Sequence, residues 1–255
     1  MRQDGRQPKV DSTLSKGLAI LETLAGAKSS MGVTDLSKAL NLTKSNTFRL
    51  LQTLTVLGYV RQNPDRTYAA TLKAWQVGRV LIDNMNLREL AAPEMKYLSE
   101  QTDEAIYLAV PENLSVVYID KRDGSKPVRS WNPIGGSAPL HCVGTGKAIL
   151  ALNYGQLRSR ISGRLSRHTE LTITNLPDLD RDVEETLRKG FAYDRGEFRE
   201  RILSVGAAIT LPSGEAIAAL GVSLPDVNMP DKGLDWLGSL VCHAADSVTA
   251  KVARA

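Results

Sequence analysis

Cysteine is scarce in this 255-residue chain: only Cys142 and Cys242 are present. Two thiols cannot build a disulfide scaffold or a four-cysteine zinc site. Histidine is as rare, and His141, His168 and His243 form no H-x-x-x-H spacing and no C-x-x-C accompanies them. No metal site and no cofactor is therefore expected. There is no run of about 18 apolar residues, which excludes a membrane-spanning helix. The opening MRQDGRQPKV has charge but no apolar stretch, so no secretory leader is expected and the expected compartment is the cytoplasm. Catalytic signatures are missing too. There is no G-x-S-x-G nucleophile elbow. The P-loop pattern fails at His141, where its first glycine is required, and at Ala148, where it needs Ser or Thr. Internal repeats and low-complexity segments are also lacking.

What is present is ordinary in bulk and uneven in distribution. Hydrophobic residues make up 42% and charged residues 24%, as in soluble globular proteins. Residues 1–80 hold 12 Lys+Arg against 5 Asp+Glu, a balance of +7; residues 81–255 hold 20 against 23, a balance of −3. A basic first third beside a mildly acidic remainder suggests two modules, one of which faces a polyanion.

Residues 1–10 read as a polar arm. A helical period follows through Leu14, Leu18, Leu21 and Ala25, and Gly26 ends it. A short second helix is expected over 33–40, with Thr34 as its N-cap. Asn41-Leu42 breaks it, and a third helix is expected over 43–57. Strand-like runs at 59–62 and 67–70 flank the turn residues Asn63-Pro64-Asp65-Arg66. Three helices and a hairpin are the order of a winged helix-turn-helix. Residues 72–90 read as a linker helix with a polar interruption at Asp83-Asn84-Met85-Asn86, and Pro93 fits the first turn of another helix. Beyond it, strands are expected at 105–110, 116–120, 128–132, 203–211 and 216–224, and helices at 144–153, 178–189 and 233–253. Short strand connections argue antiparallel pairing. The expected fold class is α+β, divided into a 1–71 DNA-binding domain, a 72–90 linker and a 91–255 second domain.

On a helical wheel the third helix gathers Phe48, Leu50, Leu51, Leu54 and Leu57 on one side, with Thr47 among them. Ser45, Asn46, Arg49, Gln52 and Thr53 gather on the other. No Asp or Glu occurs between Asp35 and Asp65. A helix that meets phosphates and base edges needs such a face, because carboxylates are repelled there while Arg, Asn and Gln make paired hydrogen bonds. Candidate DNA contacts are Thr43, Lys44, Ser45, Asn46, Arg49 and Gln52, with Phe48 beside them and Arg61 and Arg66 on the hairpin. The partner expected is double-stranded operator DNA.

The run STLSKGLAILETLA…GVTDLSKALNLTKSNTFRLLQTLTVLGYV resembles the N-terminal domain of the IclR family of bacterial transcription regulators. GGSAPLHCVGTGKAILA and GFAYDRGEFRERILSVGAAI resemble the two most recognisable stretches of that family's effector domain. The resemblance implies a winged helix, a linker helix used in dimerisation, and a GAF-like effector-binding domain, assembled as a homodimer or dimer of dimers. Where the family's recognition helix often reads K-S-T-V-H-R-L-L, Lys44, Ser45 and Arg49 match, and Asn46 and Thr47 depart.

It also implies a pocket for a small organic or aromatic acid. His141, Cys142, Val143, Gly144, Thr145 and Gly146 would form its loop, joined by Asp194, Ile202, Ser204, Gly221 and Ser223. Gly221, in place of a side chain, would enlarge it. Loop N–H groups at a helix start suit an anion. Ser204 and Ser223 flank the Pro212-Ser213-Gly214 turn at similar distances and are expected to be neighbours on a hairpin. Asp194 is expected to point inward from a charged loop. Cys142 reads as a small pocket-lining residue or, less favoured, as a redox thiol. The function expected is a ligand-responsive, non-enzymatic transcription regulator. The runner-up is a small-molecule-processing enzyme with a DNA-binding appendage, for which Ser137, His141 and Asp194 would supply a triad without supporting spacing.

Overall fold

The computed structural model describes residues 11–83 and 86–254; the arm expected at 1–10 and residues Asn84 and Met85 lie outside them. The chain divides into two compact units, 1–84 and 85–255.

In the first unit, Asp11 caps α1 (Ser12–Gly26) by accepting the N–H groups of Thr13 and Leu14. The buried positions of α1 are Ile20 and Leu24, not the expected stripe: Leu14 and Leu18 stay exposed. They line an open groove shared with Arg49, Leu54 and Leu57. α2 (Val33–Ala39) starts after Gly32, so Thr34 is not its cap. It lies inside the helix, where its carbonyl accepts the Ser37 hydroxyl. Asn41, at φ 51°, makes the turn into α3 (Lys44–Val56). β1 (Val60–Gln62) pairs antiparallel with β2 (Tyr68–Ala70). Ile20, Leu24, Leu36, Leu50, Leu51, Val60 and Tyr68 form one small core. The helical stretch expected over 72–90 divides at its polar interruption into two helices: α4 (Lys73–Asp83) ends the first unit and α5 (Leu87–Thr102), which runs on beyond residue 90, opens the second. Asn86 sits in the left-handed region at φ 49°, which no continuing helix tolerates. Pro93 falls inside α5 rather than in a first turn. The buried stripe Leu87, Ala91, Met95 and Leu98 spans the proline, and its burial outweighs the one lost backbone hydrogen bond.

The second unit is built on a six-stranded antiparallel sheet in the order β5-β4-β3-β8-β7-β6. Its strands are β3 (Ala105–Glu112), β4 (Ser115–Arg122), β5 (Ser137–Pro139), β6 (Ala192–Arg195), β7 (Ile202–Thr210) and β8 (Ala216–Pro225). α6 (Gly144–Leu152), α7 (Tyr154–Ile161) and α8 (Leu176–Lys189) cover one face, where Tyr107, Tyr118, Leu140, Ile149, Leu150 and Leu179 share a core. The alternate positions Ile106, Leu108, Leu220 and Val222 are buried from the other side. There α5 and α9 (Gly233–Val252) pack on the sheet and on each other. Residues 128–132 do not form the expected strand. Pro127 and Pro133 flank them and cannot donate to a ladder, and the Asn132 N–H goes to the Tyr107 hydroxyl instead. The edge beside β4 is taken by β5. Neither β5 nor β6 nor α7 was anticipated as an element; the other helices and the β7–β8 hairpin stand within a few residues of their expected places.

Candidate functional site

Thr43 caps α3: its hydroxyl accepts the Asn46 N–H at 3.3 Å, and its carbonyl accepts the Thr47 hydroxyl at 3.0 Å. Thr47 is thereby buried with its polar atom satisfied. Thr43, Lys44, Ser45, Arg49 and Gln52 are exposed, and Asn46 is half-buried. Phe48 and Leu57, which the wheel placed on the apolar side, are 44% and 50% exposed. Ser45, Phe48, Arg49 and Gln52 recur at helical spacing, so one solvent-facing stripe carries them. Arg61 and Arg66 are exposed on the hairpin. Arg66 holds φ 65° at the turn. Asp65 beside it accepts the Thr67 N–H and hydroxyl, which hold its carboxyl below the usual range. Lys73 Nζ reaches back to the Leu57 carbonyl at 2.6 Å and lies over the Tyr59 ring. The first turn of α4 is thus fastened to the end of α3.

In the second unit a small cavity open to solvent lies where β3, β4, β7 and β8 meet the start of α6. Of the expected pocket residues, Val143, Thr145, Asp194, Ile202, Ser204, Gly221 and Ser223 line it. His141, Cys142, Gly144 and Gly146 do not. Ser204 pairs with Ser223 across β7 and β8 and with Asp194 across β6 and β7. The Asp194 carboxylate accepts the N–H groups of Gly196 and Glu197 at 3.0 and 2.7 Å and the Ser204 hydroxyl at 3.0 Å. The Ser204 oxygen in turn accepts the Gly144 N–H at 3.0 Å. One α6 N-terminal N–H expected to greet an anion is therefore occupied from within the protein. Ser223 donates to the Ser130 hydroxyl at 2.9 Å.

Glycines set how close α6 comes. A Cβ at Gly206 would lie 2.4 Å from the Gly144 carbonyl carbon. One at Gly221 would lie 2.5 Å from the Thr145 methyl. Gly221 therefore does not enlarge the cavity; the space it leaves is filled by Thr145. At its other end α6 is held by Asn153, whose side-chain amide exchanges two hydrogen bonds with the Ala216 backbone.

Several lining residues were not anticipated. Tyr107 and Tyr118, their ring centroids 4.9 Å apart and their planes tilted by 50°, supply aromatic wall, as does Phe198. Ser130 and Asn132 come from the segment misread as a strand. Arg199 supplies the cavity's one guanidinium, donating to the Trp131 carbonyl at 3.0 Å. Tyr107 and Tyr118 gave no signal beyond strand alternation, whereas Phe198 and Arg199 stand in the charged motif read as a rim.

Electrostatically the site is unusual for its buried acids. Burial pushes the Asp194 carboxyl up to about 6 against the hydrogen bonds from Glu197 and Ser204 that favour its charge. Burial also pushes Glu197 up to about 7. Lys147, itself buried, bridges Glu197 at 2.8 Å and Asp182 at 2.7 Å. Burial pulls its pKa down, but the two carboxylates outweigh that and hold it above its usual value. Glu197 Oε2 has no hydrogen-bond partner among the described residues. The Cys142 thiol is pushed up, chiefly by burial, so it is not the activated thiolate a redox sensor needs. The triad reading loses its geometry as well: His141 Nε2 contacts the Ser166 carbonyl, and Asp194 is engaged by Ser204 and its own loop. Space does, however, gather what sequence spacing scattered. His141, Cys142 and His168 place one ligand atom each within 4.8 Å of one another.

Two family models match the chain: an IclR helix-turn-helix domain over residues 13–64 and the C-terminal domain of bacterial IclR transcriptional regulators over residues 80–250. The chain belongs to the IclR family. It is 30% identical over 250 residues to the transcriptional regulator KdgR of Escherichia coli, spanning 97% of this chain and 95% of that one. It is 31% identical over 242 residues to the acetate operon repressor of Salmonella typhimurium, spanning 93% and 88%. In fold it matches a crystal structure of an IclR homolog from Microbacterium hydrocarbonoxydans complexed with 4-hydroxybenzoate, with a TM-score of 0.79 at 21% identity over 94% of this chain and 99% of that one. The chain is thus a transcription regulator with a DNA-binding helix-turn-helix and a C-terminal effector domain. No helix among the described residues is long and apolar enough to cross a membrane.

Proposed function

We propose that this regulator works in the cytoplasm as a homodimer or dimer of dimers, reads a double-stranded operator through α3 and the β1–β2 hairpin, and is switched by a small aromatic acid held in the second unit. Lys44, Ser45 and Thr43 would contact phosphate at the start of α3, while Asn46, Arg49 and Gln52 carry the amide and guanidinium groups that read base edges. Arg61 and Arg66 would follow the backbone alongside. The residues around 72–90 would transmit the change between units.

The observation that carries the ligand reading is the cavity's composition: three aromatic rings, one guanidinium and one buried carboxyl. A molecule with a carboxylate for Arg199 and a hydroxyl for Asp194 or Ser204 satisfies both polar groups. Since the one Gly144 N–H is already given to Ser204, whereas the Arg199 guanidinium keeps further N–H donors beside the one given to the Trp131 carbonyl, Arg199 rather than the α6 loop is assigned the carboxylate. The relative complexed with 4-hydroxybenzoate supports that ligand class. We also infer that the site binds without turnover, since no nucleophile there is paired with a histidine base.

Calorimetry with 4-hydroxybenzoate and related acids tests this. Arg199→Met should weaken binding at least about tenfold, the loss of a hydrogen bond to a charged group being worth roughly 1.5–3 kcal/mol. DNA affinity without effector should stay unchanged. Equal affinity in the variant would remove Arg199 from the site, and chemical conversion of the acid by purified protein would favour the enzyme reading.

A further inference from the structure

We propose that His141, Cys142 and His168 bind a zinc ion. His141 and Cys142 lie between β5 and α6, and His168 lies on the segment between α7 and α8. Their ligand atoms fall within 4.8 Å of one another although 26 residues separate Cys142 from His168. Two imidazole nitrogens and one sulfur are a borderline-soft donor set, suited to zinc and poorly suited to magnesium or calcium, which prefer oxygen.

The surroundings match what a ligating histidine needs. The Ser166 carbonyl can only accept, so His141 donates Nε2–H to it at 3.1 Å and its Nδ1 keeps the lone pair. A metal-bound imidazole commonly donates its other N–H to a backbone carbonyl in this way, which fixes tautomer and ring orientation. His168 is exposed, while its backbone N–H is anchored on the Thr172 hydroxyl at 3.0 Å. Thr172 and Thr169 are bound to the carbonyls of Glu197 and Gly196, so the segment is held in place, while the His168 Nε2 shares a hydrogen bond with the rotatable Ser166 hydroxyl at 3.1 Å. Zn–N bonds of about 2.0–2.1 Å and a Zn–S bond of about 2.3 Å set neighbouring ligand atoms roughly 3.5 Å apart. The three donors must close by about an ångström, and His168, the one exposed ligand of the three, would do so by giving up the Ser166 hydroxyl.

Binding replaces the thiol proton: Cys142–SH and Zn²⁺ give a zinc thiolate and one released proton. Three protein ligands leave a fourth tetrahedral position for water. The ion would join the approach to α6 to the 162–175 segment. The His168 ring packs edge-on against Phe198 at 5.1 Å, and Phe198 lines the effector cavity. Metal occupancy would therefore be felt at the cavity wall.

The test uses the full chain, freed of metal with a chelator and titrated with Zn²⁺ by calorimetry and with Co²⁺ by optical spectroscopy. One ion per chain is expected, with a thiolate-to-cobalt charge-transfer band and tetrahedral d–d bands. The thiolate band should persist in Cys242→Ser, the control for the other thiol, and vanish in Cys142→Ser. His168→Ala, a surface change that leaves the fold intact, should weaken zinc binding by at least about tenfold. Absence of a thiolate band in the unaltered chain would overturn the proposal. So would a band that survives Cys142→Ser, or zinc affinity that His168→Ala leaves unchanged.

Discussion

At the scale of single residues, Asp194 is the position where structure and ionisation are most tightly joined. Its carboxyl titrates near 3.8 when unfolded and near 6 in the fold. The folded state thus holds the proton more tightly. The contribution of this group to stability is present below 3.8 and is lost as the pH rises through 6. Asp194→Asn cannot ionise but keeps an oxygen for the Gly196 and Glu197 N–H groups. Its melting temperature relative to the unaltered protein should therefore be higher above pH 6 than below pH 3.8. The same difference at both pH values, measured by calorimetric scans, would show that Asp194 does not carry the shift. The motif that contains Asp194 was readable from the sequence, and so was the pairing of Ser204 with Ser223, because a turn fixes the register of a hairpin. Arg199 and Tyr118 were not: a charged side chain in a dense cluster and a tyrosine on an alternating strand look the same whether they face water, core or cavity.

At the scale of elements, long periodic segments were legible because many residues vote for one face. β5 and β6 were not, since three or four residues with no turn between them and their partner are specified by the strand they pair with, whereas the equally short β1 and β2 flank a turn that marks them. Residues 128–132 show the same limit in reverse, where local β-propensity yields to two flanking prolines and a cavity wall. α6 illustrates what tertiary contact adds. Its start presses on β7 so closely that Gly206 has no room for a methyl group. Gly206→Ala should force backbone apart and cost about 3 kcal/mol or more, at the upper end for overpacking. Urea denaturation followed by tryptophan fluorescence checks this, and a loss below about 1 kcal/mol would mean that α6 shifts freely.

At the scale of the whole molecule, the uneven charge seen in the sequence coincides with the division into units, the basic part carrying α3 and the hairpin. DNA affinity should fall steeply with salt, by a log–log slope of about −0.9 per phosphate neutralised. Lys44→Ala should reduce that slope by about one and weaken operator and random DNA alike. A variant that loses only operator affinity would make Lys44 a base contact. The two units follow the change in composition, and the polar interruption at Asp83-Asn84-Met85-Asn86 marked where the helix breaks; the left-handed conformation of Asn86 that makes the break leaves no mark on hydrophobic period. That break gives the contact between Lys73 and Leu57 a mechanical meaning. Lys73 opens the last helix before the chain crosses into the second unit, and its ammonium grips the carbonyl just past α3, the helix proposed to read DNA. A pull or twist applied to α4 would reach the end of α3 as torque through this lysine and through Thr71, whose hydroxyl and N–H hold the Gly58 and Tyr59 carbonyls, so the stiffness of the switch would be set by how firmly these few bonds hold.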